Sequence, residues 1–349
     1  MSAADRETRA AFYERIGREN LAPLWEVIHK LVAREPVTKA VPYLWKYDTV
    51  RSYVLESGDL ISAREAERRV LVLENPALRG TSQVVDTLYA GLQLILPGEV
   101  APAHRHTPSA LRFIVEGHGA YTAVNGEKTY MKPGDFVITP NWAWHDHGHE
   151  GDGPMVWLDG LDIPIVHFLG TTFAESYPDD RFPTNTPPGY TLARYGANMK
   201  PVDDSYDLPT SPIFSYPYAR ARESLERMRA REDWDPCLGL KMEYLNPLTG
   251  GPAMLTMSTF MQLLPKGFET AAYRATDHAV YSVVEGEGRT IVGSDEGAVT
   301  FEWAPRDHFV VPGWYEHRFE AGSDAVLFSY SDRVVQQKLG LWRERRGDG

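Results

Sequence analysis

The chain has 349 residues, a length that predicts two domains or one large double unit, because single domains usually hold ~150 residues. It carries 36 basic and 48 acidic residues, and the net charge of −12 argues against nucleic acid or an anionic membrane as the main partner. The single cysteine, Cys237, excludes an internal disulfide and a cysteine-rich metal cage. The N-terminus is too charged for a secretory signal and no apolar run could span a membrane, so we expect a cytoplasmic protein without a membrane partner.

Helices are predicted in three stretches of the chain. Apolar residues recur at three- and four-residue steps within 5–34 and 62–71, and the stretch 219–231 is interpreted as a charged helix. Residues 177–217 are rich in Pro, Asp, Asn and Thr and predict a long irregular connector. The basic tail 338–346 is interpreted as a solvated helix end.

Short β-rich runs, bounded by Gly, Pro, Asn or Asp, begin near Ser82 and again near Ala253. Asn125-Gly126 lies between two such runs and predicts a tight hairpin. Strands this short and evenly punctuated favour an antiparallel barrel or jelly roll.

The two β-rich regions repeat one another. Glu116-Gly117 and Glu285-Gly286 occupy matching places, and Pro140 with His145 matches Pro312 with His317. The repeat predicts a mainly β protein made of two jelly-roll barrels, with N-terminal and connecting helices. The predicted divisions are a helical segment (1–80), a first barrel with the metal site (81–176), a connector with a helix (177–250), a second barrel without metal (251–335) and a C-terminal tail (336–349).

Histidines cluster at two places in the first barrel. His104 and His106 are two apart, so on a strand both imidazoles point to one face, and His145 can return from a neighbouring strand as a third ligand. Imidazole suits Fe, Zn, Cu and Ni. A polar surface loop or buried structural histidines are the alternative for an isolated His-x-His pair.

The glycines and prolines around these histidines resemble the two-part signature of the cupin family. Five residues separate Gly98 from His104, and Gly134 precedes Pro140 and His145 at the family's spacing. Cupins usually place a glutamate ligand four or five positions after the second histidine, where this chain has Ala110 and Leu111. The ligand set would then be three neutral imidazoles, which favours an anionic, chelating substrate.

In the second barrel, Tyr273 and Ala275 stand where His104 and His106 would be, and only His317 persists. We therefore expect no metal there. A cryptic site through Tyr273, His278 and His317 is the minor alternative.

Over nearly its whole length the chain resembles the gentisate 1,2-dioxygenase family of bicupin enzymes. The resemblance is carried by the stretch from Tyr89 to His106, by Ser109 to Phe113, by Trp142 to His147 and by Trp157 to Gly160. It implies one Fe(II) per chain, O₂ as co-substrate and conversion of gentisate to maleylpyruvate by cleavage between the carboxyl- and hydroxyl-bearing carbons. Salicylate or 1-hydroxy-2-naphthoate is the alternative substrate, and a homotetramer is the common assembly of the family.

Two other function classes remain as rivals. A cupin isomerase or decarboxylase would use the same histidines without O₂. A non-catalytic bicupin of the storage or sensor kind is disfavoured, because the histidine triad is intact and the N-terminal region offers no basic recognition helix.

Two arginines are candidates for holding the substrate carboxylate. Arg112 lies an even number of residues after His106, so a continuous strand would turn it to the same face, where an ion pair with a nearby acid is the alternative role. Arg68 could reach in from the N-terminal segment as a second anion clamp, although paired arginines on a helix are usually solvated.

Further side chains are assigned to the pocket with less support from spacing. His147 shares the face of His145 and is expected to hydrogen-bond substrate or oxygen, whereas His149 is expected to be exposed. The resemblance places Gln93 and Asp159 near the ring-binding pocket, and Asp159 is a candidate for orienting a histidine. The remaining candidates are pocket-shaping residues, of which the aromatic ones could instead be core: Val70, Tyr89, Trp142 and Trp144.

Overall fold

The computed structural model describes residues 3–294 and 297–347. They form two compact units, one ending at Val37 and one beginning at Thr38. The helices are α1 (Ala3–Arg18), α2 (Leu24–Leu31), α3 (Tyr47–Leu60), α4 (Ile163–Phe168), α5 (Tyr190–Tyr195), α6 (Tyr218–Arg229) and α7 (Arg333–Lys338). None of the described helices is long and apolar enough to cross a membrane.

The strands are short and fall into two series, separated by the connector that contains α5. The first series is β1 (Tyr43–Trp45), β2 (Val70–Val72), β3 (Tyr89–Ile95), β4 (Val100–His106), β5 (Ala110–Glu116), β6 (Ala120–Val124), β7 (Glu127–Tyr130), β8 (Phe136–Thr139), β9 (His145–His149), β10 (Met155–Leu161) and β11 (Ala174–Ser176). The second series is β12 (Ser215–Tyr216), β13 (Leu240–Glu243), β14 (Ser258–Leu264), β15 (Tyr273–Ala275), β16 (Ala279–Glu285), β17 (Gly288–Val292), β18 (Val299–Trp303), β19 (His308–Val311), β20 (His317–Ala321), β21 (Ala325–Ser331) and β22 (Glu344–Arg346).

Four antiparallel sheets make two barrels, as the repeat predicted. The first barrel joins a sheet of order β12-β8-β5-β10-β3-β2 to one of order β11-β4-β9-β6-β7. The second joins β1-β19-β16-β21-β14-β13 to β18-β17-β20-β15-β22. The mainly β architecture with two jelly-roll barrels is therefore confirmed.

The two barrels exchange their leading strands. β1 precedes the first barrel in the chain but pairs with β19 of the second, whereas β12 precedes the second barrel and pairs with β8 of the first. The helices that follow are exchanged as well: Tyr47 N at the start of α3 donates to Asp307 at 2.8 Å, and Tyr218 N at the start of α6 donates to Asp135 at 2.8 Å. Each barrel is thus completed by a segment that belongs to the other half of the repeat.

The six-stranded sheets of the two barrels pack against each other through apolar side chains. Phe113 of β5 and Phe328 of β21 stack with ring centroids 4.1 Å apart and planes tilted by 4°. Both side chains are buried, and their neighbours Leu92, Leu111 and Tyr330 are also almost fully buried. Because both faces of these sheets are covered, their central strands β5, β10 and β21 are buried along almost their whole length.

Three predicted helical stretches differ from the structure. Residues 5–34 form α1 and α2 rather than one helix, because Asn20 adopts a left-handed φ of 56° and Pro23 follows. Residues 62–71 are not a helix: Glu67 has a φ of 55°, and Val70 enters a ladder opposite Gln93. The tail 338–346 is more than the end of a helix, because its last three residues form β22, which pairs with β15. The predicted helix at 219–231 is confirmed as α6.

Candidate metal centre

Three histidines of the first barrel meet at one point. His104 and His106 alternate with Arg105 on β4, so both imidazoles enter the barrel, and His145 of β9 is the ladder partner of His104. One nitrogen from each ring lies within 4.8 Å of the others, and the ring centroids of His104 and His145 are 4.3 Å apart. The predicted triad is brought together as the sequence spacing required.

A backbone carbonyl oxygen lies within hydrogen-bond distance of the Nδ1 atom of each ring. The Nδ1 atoms of His106 and His145 donate to Pro108 O at 2.7 Å and Ala143 O at 3.0 Å. His104 Nδ1 lies 3.1 Å from Pro102 O in the same arrangement. For His106 and His145 these bonds fix the tautomer that leaves Nε2 as the lone-pair nitrogen.

The free nitrogens fit a metal ion. His145 Nε2 is buried and has no hydrogen-bond partner in the described part of the chain, which is costly unless an ion or ligand completes it. Burial lowers the pKa of His104 to about 3 and that of His106 to about 4, so both rings are neutral and able to coordinate at physiological pH. Among the described residues this is the cluster of metal-ligating groups that could hold an ion.

Carboxylate is absent from this ligand set in the described residues. Ala110 and Leu111, which stand where a cupin glutamate would be, are buried and apolar and offer no ligand atom. A divalent ion held by three neutral rings keeps its full 2+ charge, and this charge acts on the ionisable side chains around the site.

Arg112 is buried in the barrel wall beside an acid. Its ladder partner is Asp159 of β10, and Arg112 Nε lies 3.5 Å from Asp159 Oδ1. Arg112 Nη1 also donates to Thr139 Oγ1. The ion pair that the sequence left as an alternative role is therefore present, and it holds the guanidinium on the inner face of the barrel.

Asp159 does not orient a histidine, which corrects the role proposed from sequence. Its Oδ1 accepts from Trp157 Nε1 at 3.0 Å and pairs with Arg112. Burial raises the pKa of Asp159 to about 6, although the Arg112 charge opposes that shift. The carboxylate is thus part of the wall that positions Arg112.

Arg68 enters the site although its segment is not helical. Arg68 Nη2 donates to Pro102 O at 3.1 Å and lies 2.5 Å from His104 Nδ1, so the guanidinium packs against the ring. No ion pair joins Arg68 to a carboxylate in the described residues. Burial lowers the pKa of Arg68 to about 9, with repulsion from Arg112 as a further cause. Arg68 is therefore a cation at the edge of the metal centre that no described carboxylate contacts in an ion pair, although Asp159 and Asp146 act on its charge.

His147 lies beside the histidine triad, with its ring centroid 5.9 Å from that of His145, whereas His149 is bonded to a loop. The Nδ1 atom of His147 is 3.0 Å from Thr122 Oγ1, its ladder partner, while Nε2 is buried without a partner in the described residues. His149 is buried rather than exposed, which corrects the prediction. It is a structural residue, because Nδ1 accepts from Gly151 N at 3.0 Å and Nε2 donates to Gly153 O at 2.5 Å.

Gly91 lies opposite Asp159 in the barrel wall, where its missing side chain leaves room for two neighbouring side chains. A Cβ added to Gly91 would lie 2.4 Å from Val70 Cγ1 and 2.8 Å from the Tyr89 hydroxyl oxygen, so those two side chains occupy the space above it. Gln93 is buried on the same strand and pairs with Val70 and Trp157. Thr122, Thr139 and Gly91 were not identified from sequence, although their ladder positions beside His147, Ala110 and Asp159 are the signal that finds them.

Trp142 and Trp144 do not shape the slot, contrary to the expectation from sequence. Their rings lie 4.4 Å and 4.6 Å from the Arg105 guanidinium carbon, on the outer side of β4. They also contact Phe173 and Phe182, with ring centroids 4.5 Å and 5.9 Å away respectively. The pair belongs to an aromatic cluster outside the barrel.

Comparison with known proteins agrees with this geometry. Residues 91–161 match the cupin domain family. The chain is 56% identical over 338 residues to gentisate 1,2 dioxygenase 1 of Aquipseudomonas alcaligenes, covering 97% of this chain and 96% of that protein. It is 36% identical to 5-aminosalicylate 1,2-dioxygenase of Comamonas sp., covering 96% and 89%. A salicylate 1,2-dioxygenase structure from Pseudoaminobacter salicylatoxidans, an adduct with gentisate, matches with a TM-score of 0.90 at 33% identity, covering 97% and 94%.

Two barrels with one intact histidine triad define a bicupin with a metal site in its first barrel. Within that class, the chain belongs to the gentisate 1,2-dioxygenase family of ring-cleaving enzymes.

Proposed function

We propose that this protein is an Fe(II)-dependent extradiol-type dioxygenase that converts gentisate and O₂ to maleylpyruvate. The ring bond between the carboxyl-bearing and the ortho-hydroxyl-bearing carbons breaks, and both oxygen atoms enter the product. Iron is proposed because a three-imidazole set suits it and because zinc, being redox-silent, could not mediate oxygenation.

The observation that supports this function is the charge of the pocket. Three neutral imidazoles point their free nitrogens inward, and two guanidinium groups, Arg68 and Arg112, accompany one carboxylate, Asp159. The pocket is therefore positive even before a divalent ion is added. An ortho-hydroxy aromatic acid supplies the missing negative charge and can chelate through two oxygens.

Each residue has a distinct proposed task. His104, His106 and His145 would hold the ion, and a bound Fe(II) would supply the redox-active centre at which the acid and O₂ meet. Arg112 and Arg68 bind the substrate carboxylate, which fixes the ring relative to the triad. Asp159 keeps Arg112 in place, so it acts as a positioning residue. Gln93, Tyr89 and Val70 line the wall against which the ring lies.

His147 is proposed to contact the substrate hydroxyl. The Thr122 hydroxyl also lies 3.2 Å from Met131 Sδ. With the Thr122 proton directed at that sulfur, His147 Nδ1 carries the ring proton and Nε2 can accept a proton from a phenolic hydroxyl. Loss of that proton gives the substrate oxygen the negative charge that favours chelation.

Salicylate and 1-hydroxy-2-naphthoate are the alternative substrates. The relatives include a 1-hydroxy-2-naphthoate 1,2-dioxygenase of Nocardioides sp., 35% identical over 352 residues. Without a side chain at Gly91, Val70 and the Tyr89 hydroxyl lie against this strand, and that hydroxyl favours a ring that carries a polar substituent.

Oxygen uptake across a substrate panel tests the proposal. Protein loaded with Fe(II) under anaerobic conditions is mixed with gentisate, salicylate, 5-aminosalicylate or 1-hydroxy-2-naphthoate, and O₂ consumption is recorded with an electrode. We expect one O₂ consumed per gentisate. Turnover of salicylate alone would keep the ring-cleaving class and change the substrate, whereas conversion without O₂ would favour an isomerase or decarboxylase.

We also propose a homo-oligomer, with the tetramer of the family as the expected size. Support comes from α2, whose apolar side chains Leu24, Trp25, Ile28 and Leu31 are exposed and could be covered by a second copy of the chain. Sedimentation velocity measures the assembly directly, and a monomer would refute it.

A further inference from the structure

The second barrel keeps the strand pairing found around the metal site of the first barrel, but different side chains line its pocket. Ladder positions show the equivalence, since Gln93 pairs with Val70 in the first barrel and Gln262 pairs with Lys241 in the second. Phe260 of β14 takes the place of Gly91 of β3, so the second barrel has an aromatic ring where the first has no side chain. The pocket that remains has a cavity volume of about 20 Å³.

Lys241 brings a positive charge into this small pocket. Its Nζ lies 4.7 Å from the Phe260 ring centroid and 5.6 Å from that of Tyr281. In the described part of the chain Lys241 has no ion pair with a carboxylate. Burial lowers the pKa of Lys241 to about 8, so the amine is still mostly charged at neutral pH. Asp277 and Glu243 raise the pKa of Lys241 without contacting it in an ion pair, and a partly desolvated ammonium with no anion in contact is costly.

A second cation lines the same pocket. The Arg333 guanidinium carbon lies 4.1 Å from the Trp342 ring centroid and 5.9 Å from that of Phe260, and Arg333 makes no ion pair with a described carboxylate. The acid in the pocket lining, Asp277, accepts a hydrogen bond from Trp342 Nε1 at 2.8 Å. The lining therefore carries two cations and one carboxylate.

A buried hydroxyl completes the set of donors. Ser329 Oγ lines the pocket, is buried and has no hydrogen-bond partner among the described residues. His317 Nδ1 donates to Tyr315 O at 3.2 Å, as His145 does to Ala143 O, so this ring keeps the orientation of the lost ligand set. Burial lowers the pKa of His317 to about 4, so the ring adds no charge.

We propose that the second barrel binds one small monovalent anion of about chloride size between Lys241, Arg333 and Ser329. The cavity volume supports this size, because a cavity of ~10–15 Å³ holds one water and an aromatic acid needs several times more. The two cations disfavour a metal ion, which would also find a single imidazole there. The inference is independent of the iron and of the substrate proposed for the first barrel.

Bromide, an anomalous scatterer of similar size, is the probe. Crystals of the full chain are grown in bromide, and the anomalous difference map is calculated for the wild type, for Lys241→Met and for Lys266→Met, a matched change at an exposed lysine. We expect a peak beside Lys241 in the wild type and in Lys266→Met and none in Lys241→Met. Peaks at the protein surface only would mean an adventitious ion and would overturn the proposal.

A solution measurement covers the case in which Lys241→Met fails to crystallise or to fold. Tm of the wild type is compared in chloride and in gluconate, which is too large for the cavity, at equal ionic strength. We expect a higher Tm in chloride, with a dependence on chloride concentration that saturates. Equal Tm values at all concentrations would overturn the proposal. Lys266→Met should behave as the wild type does.

Discussion

Thr256 of the second barrel donates a hydrogen bond from its hydroxyl to the buried carboxylate of Asp162, which belongs to the first barrel, at 2.5 Å. The equivalent bond in the repeat runs in the opposite direction, because the Thr87 hydroxyl of the first barrel donates to Asp332 of the second at 2.9 Å. Each carboxylate also caps a strand of its own barrel, since Asp162 accepts from Ser109 N and Asp332 from His278 N, both at 2.8 Å. Together with the exchanged strands, these bonds make the two barrels one cooperative structure.

The Thr256–Asp162 bond should contribute measurably to stability. Burial raises the pKa of Asp162 to about 6, and the Thr256 hydroxyl is the main group that opposes this shift. Thr256→Val keeps the side-chain shape but leaves a buried acid short of a donor, so we expect a loss of about 1–3 kcal/mol in the free energy of unfolding. Urea denaturation measures it. Thr300→Val, at an exposed strand position, is the control, and an equal effect of both changes would refute the role of the bond.

Acid should destabilise the protein partly through His308. Burial lowers the pKa of His308 to about 4, and neither ring nitrogen has a hydrogen-bond partner in the described residues. The unfolded chain binds the proton near pH ~6.5, so stability is complete above that pH and falls as pH drops towards 4, by about 3 kcal/mol at most. His308→Leu should remove this loss.

The pH effect is read from urea denaturation of the metal-free protein at pH ~7.5 and ~4.5. We expect the wild type to lose more stability between the two conditions than His308→Leu does. His118→Leu changes a histidine whose side chain is 76% exposed and should leave the difference as it is in the wild type. Parallel losses in all three proteins would show that His308 does not titrate in this range.

His106→Ala should abolish iron retention. It removes one of three ligand nitrogens while the other two rings keep their carbonyl partners, and two imidazoles bind a divalent ion far more weakly. Iron is counted by mass spectrometry after gel filtration. His149→Gln is the matched control, because His149 is buried nearby but bonded to Gly151 and Gly153. Full iron content in His106→Ala would refute the ligand assignment.

Arg112→Met should leave iron bound and lower kcat/KM for gentisate by on the order of 10²-fold or more, as for the loss of a charge-assisted anchor. Arg105→Met is the control, since Arg105 lies on the other face of β4 and pairs with Glu175 at 2.5 Å. If both variants kept the wild-type kcat/KM, Arg112 would have a structural role only.

Arg68→Met should raise KM for gentisate about tenfold or more, because a charge-assisted hydrogen bond contributes roughly 1.5–3 kcal/mol. Tm of the metal-free protein should not fall, since Arg68 has no described carboxylate partner and is repelled by Arg112. Arg64→Met, on the same segment but exposed and paired with Asp180 at 3.1 Å, should keep the wild-type KM. Iron content is measured in parallel because Arg68 contacts His104. An unchanged KM would exclude Arg68 from substrate binding.

The sequence predicted those parts of the site that depend on alternation along one strand. His104 and His106 face inward with Arg105 between them. Arg112 also reaches the site, but it lies on β5, which begins at Ala110 after β4 has ended at His106, so the continuous strand assumed for its even spacing is not present. The same logic failed for Trp142 and Trp144, because they follow a turn at which Trp142 adopts a φ of 62°, so no strand fixes their direction. His149 was also misjudged, since its burial results from the loop at Gly151 and Gly153 rather than from its strand position.

The sequence by itself determined the double barrel, the histidine triad and the loss of ligands in the second copy, because each follows from local alternation and from a comparison of the chain with itself. The tertiary structure decided the rest. The exchange of β1 and β12, the entry of Arg68 beside His104 and the pairing of Arg112 with Asp159 join segments far apart in the chain. Such contacts depend on which surfaces of distant segments pack together, and local sequence patterns do not specify that packing.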